Sequence, residues 1–323
     1  IRPRFMMEGV APASSVLQNV VQDVFHEVRN ESICIFDNIL TGGTKTTLRE
    51  RFIRIVDICY ERNIRLNFRK TFLGHNTAKY FGYELFGSPR SGFRIDAKRK
   101  SSLQDIPFPG HGSTKRENTR QVRSFLGFSV YFISFTENYA KLAAPLHDMT
   151  HNDFDWNEAT WTEDYRAHFE TFKEALAKSM DLIYPDFSLE WILLTDASEI
   201  GVGWMLIQLR PTKEQVETEV ISVGSEKFST PAEKRWPINE KEAYGVLRGV
   251  QTNSRLLFNK PFFIATDHWN LTYKEKESNK KLAGYLLTIA QYPCKAMLPI
   301  DGKINPTDFQ SRQWPKEKQP DEI

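Results

Sequence analysis

The chain has 323 residues, 40% of them hydrophobic and 26% charged, enough for two or three domains that each bury a core. Its 43 Lys and Arg against 41 Asp and Glu leave a net charge of +2, which excludes a global basic field and leaves any nucleic-acid affinity to local patches. Three scattered cysteines, Cys34, Cys59 and Cys294, form no CxxC pair; they argue against a zinc site or disulfide framework and suit an intracellular reducing compartment. No apolar run reaches the roughly 20 residues of a membrane span, so no membrane insertion is expected. The first residue is Ile1 and no signal-peptide layout follows, which suits a processed product, a fragment, or a sequence assembled without its true start.

In chain order, ASSVLQNVVQDVFHEV has helical spacing, with Val16, Val20, Val24 and Val28 four apart. ESICIFDNILT reads as two short strands around a polar tip, Asp37 and Asn38. LRERFIRIVDICYERN is a second amphipathic helix with Phe52, Ile55, Val56 and Cys59 on one face, and IRLNFRKTFL and AKYFGYELF follow as strands. Residues 87–118 are rich in Gly, Ser, Pro and basic residues and read as a connection with a short central helix. Residues 119–180 read as mainly helical. From about 188 the texture changes to three successive strands, LEWILLTDAS, VGWMLIQL and TEVISVGSEKF. A capped helix at NEKEAYGVLRGV, the strand PFFIATDH, a polar helix around 275–290, the strand CKAMLPI and a terminal NPTDFQSR segment complete an α/β domain.

Four acids in that domain stand where a metal site would want them. Asp196 and Asp267 each end an apolar strand, Glu242 is expected in the first turn of a helix, and Asp308 opens the last helical segment. Taken singly, the two strand-end aspartates read as turn formers. Glu242, three residues after Asn239, reads as part of a capping-box-like start, and Asp308 as an acid favoured by the helix dipole. Together, in strand–helix–strand–helix order, they point to a carboxylate cluster. Such a cluster repels itself unless cations compensate, which predicts Mg²⁺, with Mn²⁺ as the alternative ion. Two Mg²⁺ about 4 Å apart can hold a phosphodiester, activate water and stabilise the leaving oxygen.

LLTDAS, NEKEAYGVL, ATDHWNL and NPTDFQSR resemble the four RNase H motifs of gypsy-type LTR retrotransposon Pol proteins, in order and approximate spacing. By that resemblance Asp196, Glu242, Asp267 and Asp308 are both the metal-binding and the catalytic acids, and Glu240 is not one of them. The likeness runs upstream through RQVRSFLGFSVYFISFTENYAKLAAPLHDM, similar to the thumb and connection, to MMEGVAPASSVLQ, which resembles a palm segment with Gly9 and Gln18 near template and nucleotide. LNFRK resembles the segment with a palm lysine, here Lys70, and KYFGYEL the primer-grip hairpin. ICIFDNIL aligns with the reverse-transcriptase hairpin usually written Tyr-x-Asp-Asp: Asp37 matches the first aspartate, Asn38 replaces the second and Ile35 the aromatic. An amide brings no charge to a hard cation. The other palm aspartate and the fingers, which precede the Gly9 segment in the family, are not in this sequence, so this chain is expected not to polymerise DNA.

The resemblance implies an α/β (α+β) fold in four parts: a truncated reverse-transcriptase palm over 1–86, thumb and connection over 87–185, an RNase H-like domain with a mixed central sheet over 186–314, and a polar tail over 315–323. It implies a nuclease that cuts the RNA strand of RNA–DNA hybrids, gripped by Lys115, Arg116, Arg120 and Arg123 together with Gln18 and Lys70. Any one basic run also reads as a solvated face, and FLGFSVYFISF as helix core. The alternative is a domesticated, non-catalytic remnant binding structured RNA or other proteins in a large, ribonucleoprotein-type assembly. A retroelement product belongs in cytoplasm or nucleus, and a domesticated one fits an organelle as well.

Overall fold

Thr44 caps the helix that anchors the N-terminal part of the chain: its hydroxyl accepts from the amide of Thr47 at 3.3 Å and starts a helix at Lys45–Glu61. The computed structural model describes residues 12–87, 90–266 and 280–300; Gly9, Asp267, His268, Asp308 and the 315–323 tail lie outside the described residues. Contacts divide the chain into two units, Ile1–Tyr80 and Phe81–Ile323.

In the first unit, helix α1 (Ala13–Val24) leads to the antiparallel pair β1 (Ser32–Ile35) and β2 (Asn38–Thr41), then α2 (Lys45–Glu61) and β3 (Thr77–Tyr80). Phe25, Val28, Ile55, Ile58 and Cys59 form its buried core, so only the far end of the four-apart valine stripe faces inward; Val16 and Val20 are exposed. The strand expected over 64–73 does not form. Asn67 accepts from the amide of Arg69 and closes a 3-10 turn at Phe68–Lys70, leaving Phe68, Phe72 and Leu73 exposed.

In the second unit, β4 (Tyr83–Phe86) opens the chain after a turn at Phe81 and Gly82, both with positive φ (49° and 81°), which splits the single strand expected at AKYFGYELF. β5 (Gly92–Ile95) and the short α3 (Ala97–Ser101) occupy the glycine- and proline-rich connection. The helical stretch comprises α4 (Lys115–Ser129), a 3-10 turn at Val130–Phe135, α5 (Tyr139–Asp148) and α6 (Glu158–Ala177), after which β6 (Leu182–Ile183) pairs back onto β5.

β7 (Glu190–Ala197), β8 (Gly201–Pro211) and β9 (Val216–Lys227) then form an antiparallel meander. The short α7 (Pro231–Lys234), α8 (Ile238–Thr252) and α9 (Ser254–Leu257) lead to β10 (Phe262–Thr266), which runs parallel to β7. α10 (Lys280–Ile289) precedes β11 (Cys294–Pro299), parallel to β10, and the sheet order is β11–β10–β7–β8–β9. This is the mixed central sheet expected from the sequence.

Both faces of that sheet are covered. Trp191, Leu193, Trp204 and Leu206 pack with Val246, Val250 and Leu282 on the α8–α10 face. On the opposite face Ile192, Leu194, Met205 and Ile207 share one core with Val122, Phe125, Leu146, Phe169 and Phe172 of α4–α6. Truncating a fully buried phenylalanine of this kind to alanine costs about 3–5 kcal/mol. The helical stretch is therefore bonded to the sheet by its main apolar interface.

Candidate carboxylate site of the five-stranded sheet

Strand alternation fixes where the end of β7 points. Asp196 lies two and four residues past Leu194 and Ile192, so its side chain leaves the strand on the α4–α6 face. Register sets Asp196 opposite Gly203 on β8, and Gly203 opposite Ser225 on β9. The junction before α5 lies across this row. A Cβ on Gly203 would stand 2.8 Å from Asn138 Oδ1, so glycine admits the junction to the backbone. Asn138 takes φ 52°, and the amide of Ala140 donates to Ser225 Oγ at 2.8 Å. Asn138, Ala140 and Lys141 line a cleft with Asp196, Ser198 and Gly203.

Glu137 stands at the head of this junction. Its Oε2 is shielded from solvent and accepts no hydrogen bond among the described residues. Burial first, and the nearby Asp196 charge second, push its carboxyl from the ordinary 4.5 up to about 7. Sequence reasoning passed over Glu137, because an acid in FTENYAKL looks like an ordinary helix-entry residue. Its burial is set by a strand about sixty residues later, and no local signal carries that information.

Glu242 approaches the same strand end from the other side. α8 runs so that a Cβ on Gly249 would meet Leu193 and Trp204, and one on Gly245 would stand 3.6 Å from the Asp196 carbonyl. Glu242 continues this sheet-facing stripe one turn further and is 2% exposed. Its place in the helix differs from expectation. Pro237 is the N-cap, so Glu242 is the fifth helical residue and Glu240 takes the first turn. Glu240 pairs with Lys281 at 2.8 Å. β10 ends at Thr266, immediately before Asp267 in sequence.

Carboxylate oxygens are the donors a hard cation such as Mg²⁺ takes, and Glu137 Oε2 is a shielded acceptor with no hydrogen bond among the described residues. The donor chemistry fits. Among the described residues, however, no group of three or more His, Cys, Asp or Glu side chains is placed to hold a metal ion.

Residues 186–292 match the RNase H-like domain found in reverse transcriptase. The chain is 26% identical over 323 residues to the retrovirus-related Pol polyprotein from transposon gypsy of Drosophila melanogaster, covering 94% of this chain and 29% of that protein. It is 24% identical over 295 residues to the transposon Tf2-7 polyprotein of Schizosaccharomyces pombe, covering 89% of this chain and 21% of the relative. The chain is similar along most of its length to retrotransposon Pol polyproteins and carries an RNase H-like region. It spans less than a third of the length of these relatives. Its fold is that of a foamy viral protease-reverse transcriptase solved in complex with an RNA/DNA hybrid, with TM-score 0.67 at 15% identity over 98% of this chain and 41% of that one. The same viral protein in complex with dsDNA gives TM-score 0.69, 15% identity and 93% and 60% coverage.

The other candidate residues are placed as follows. Ile35 pairs with Asn38, so the hairpin turn is Phe36 and Asp37, and Asn38 already belongs to β2 rather than to the tip. Asn38 Nδ2 donates to Asp37 Oδ1 at 3.1 Å. Gln18 braces the hairpin with both ends of its amide: Oε1 accepts from the amide of Phe36 at 2.8 Å and Nε2 donates to the Cys34 carbonyl at 3.1 Å. Lys70 closes the exposed 3-10 turn. On α4, Lys115 donates to the Asn152 carbonyl and Arg123 to that of Thr150 at 3.4 Å, so both hold the loop after α5. Arg116 and Arg120, four apart on the same helix, are exposed. In the basic run of α3, Lys100 donates to the Ser179 carbonyl and Arg99 lies over the Tyr131 ring at 3.8 Å, which makes these two packing residues.

Proposed function

We propose that the RNase H region of this Pol segment is a divalent-metal-dependent nuclease that hydrolyses the RNA strand of RNA–DNA hybrids. The observation that supports this reading is the end of the central strand: Asp196 closes β7, and a Cβ on Gly245 of α8, one turn after the buried Glu242, would stand 3.6 Å from the Asp196 carbonyl. The complex of the foamy viral protein with an RNA/DNA hybrid supports the substrate class.

In this reading Asp196, Glu242, Asp267 and Asp308 hold Mg²⁺, and Mn²⁺ satisfies the same hard-donor set. When bound, the ion supplies Lewis-acid stabilisation of the phosphodiester and a more acidic water. The chain's own residues do the rest. The rigid end of β7 fixes Asp196 in orientation, and the apolar packing of α8 fixes Glu242. Arg116 and Arg120 offer exposed charge to a phosphate backbone. The β1–β2 hairpin has no polymerase role in this proposal: it offers one carboxylate, Asp37, whose Oδ1 already accepts the Asn38 amide.

The test is Asp196→Asn in the full chain, assayed on a labelled RNA–DNA hybrid in Mg²⁺. Cleavage is expected to fall by about 100-fold or more, with the metal-free melting transition unchanged or raised. A parent chain that leaves the hybrid intact, or a variant that cuts as the parent does, would favour the non-catalytic remnant instead.

A further inference from the structure

We propose that Lys141 of α5 grips a phosphate of the RNA–DNA hybrid, so that the helical stretch supplies part of the substrate surface beside Asp196. The inference rests on the nuclease reading above and adds to it a substrate-binding residue that lies outside the matched 186–292 region.

The cleft at the end of β7 has two walls. The strands contribute the acids Asp196 and Glu226, and the start of α5 contributes Asn138, Ala140 and Lys141. Lys141 is the one cationic side chain among the described residues that line the cleft. Its backbone is fastened on three sides. The buried Tyr139 hydroxyl lies 2.7 Å from Ser129 Oγ, the Ala140 amide donates to Ser225 Oγ at 2.8 Å, and the Leu142 carbonyl lies 2.7 Å from His168 Nε2. The inward face of α5 is Tyr139, Ala143 and Leu146, and at 3.6 residues per turn Lys141 falls on the opposite, exposed face.

The neighbouring charges are already committed. Glu226 accepts from the Tyr244 hydroxyl at 2.7 Å and pairs with Arg248 at 2.6 Å, and Lys227 pairs with Asp148 at 3.1 Å. Lys141 forms no ion pair and no side-chain hydrogen bond among the described residues. An ammonium on an anchored helix start, at the rim of a cleft that would receive a phosphodiester, is a point-charge donor for a phosphate oxygen. This sets it apart from Lys115, Arg123 and Lys100, whose donors are spent on backbone carbonyls.

The experiment measures binding of a dye-labelled RNA–DNA hybrid to the full chain by fluorescence anisotropy, in EDTA and again in Ca²⁺, over a series of KCl concentrations. Lys141→Gln is expected to weaken binding by about 3- to 10-fold and to lower the slope of log affinity against log salt by about one, as loss of one phosphate contact does. Lys141→Arg keeps the charge and should recover most of both. Lys178→Gln removes the same charge from α6, outside the cleft lining, and should change neither. Lys141→Gln matching Lys178→Gln in affinity and slope would overturn the inference, and so would Lys141→Arg binding as weakly as Lys141→Gln. A parent that shows the expected pattern yet leaves the hybrid uncut in Mg²⁺ would overturn the nuclease reading alone. A parent that binds no hybrid in either buffer would overturn both.

Discussion

Replacing Glu137 by glutamine should change how stability depends on pH, with a sign that follows from its environment. The carboxyl titrates at about 7 in the folded protein against an ordinary 4.5. Between those values the unfolded chain has released a proton that the folded chain keeps, so stability falls as pH rises, by up to about 1.4 kcal/mol per pH unit. Below 4.5 both states hold the proton and above 7 neither does, so the loss saturates. Across the window it amounts to roughly 3 kcal/mol, an order-of-magnitude figure. Glutamine keeps the shape and has no proton to lose. Urea unfolding in EDTA at pH 5, 6, 7 and 8 should therefore show Glu137→Gln gaining on the parent steadily up to about pH 7.5. Taking the difference cancels the other carboxylates common to both chains. A difference that stays constant from pH 5 to 8, or a variant less stable than the parent at pH 8, would refute the burial and proximity argument.

Other substitutions test separate parts of the structure. Gln18→Ala strips the Phe36 amide and the Cys34 carbonyl of their partner and should weaken the N-terminal unit by about 1–2 kcal/mol. Faster amide exchange at Phe36 would report it, and unchanged protection would contradict it. Gly224→Ala would put a Cβ 2.5 Å from the Trp204 ring and should cost about 1–3 kcal/mol in chemical unfolding; a neutral result would mean that the ring moves freely. Arg210→Met removes one cation from Glu219, which is 2% exposed and also bonded to Gln208 and Arg90. A loss of about 1–3 kcal/mol is expected, and no loss would show that Gln208 and Arg90 suffice.

The position of Asp196 at the end of β7 was legible in the sequence because strand ends announce themselves. LLTDAS breaks an apolar run at a polar residue, and such a break marks the place where a strand leaves its core. The acid in α8 was legible too, but its turn was not, since Pro237 starts the helix earlier than Asn239 suggested. Glu137 was not legible, because its surroundings come from β7 and β8 and not from its neighbours in the chain. The same limit explains Lys115, Arg123, Arg99 and Lys100. As sequence they are a basic patch, while in the fold four carbonyl and ring contacts absorb them. The strand expected over 64–73 failed for a local reason, the side-chain bond of Asn67, which outweighs a weak alternation with no core to face.

The apolar face that Ile192, Leu194, Met205 and Ile207 present to α4–α6 bears on heredity as well as packing. A gene segment cut at the start of β7 would encode a sheet with one oily side open to water, prone to stick to its own copies. Recombination that moved the strands of this domain without the preceding helices would leave that face bare. The unit able to pass intact from gene to gene begins upstream of β7, at the helices that cover the sheet.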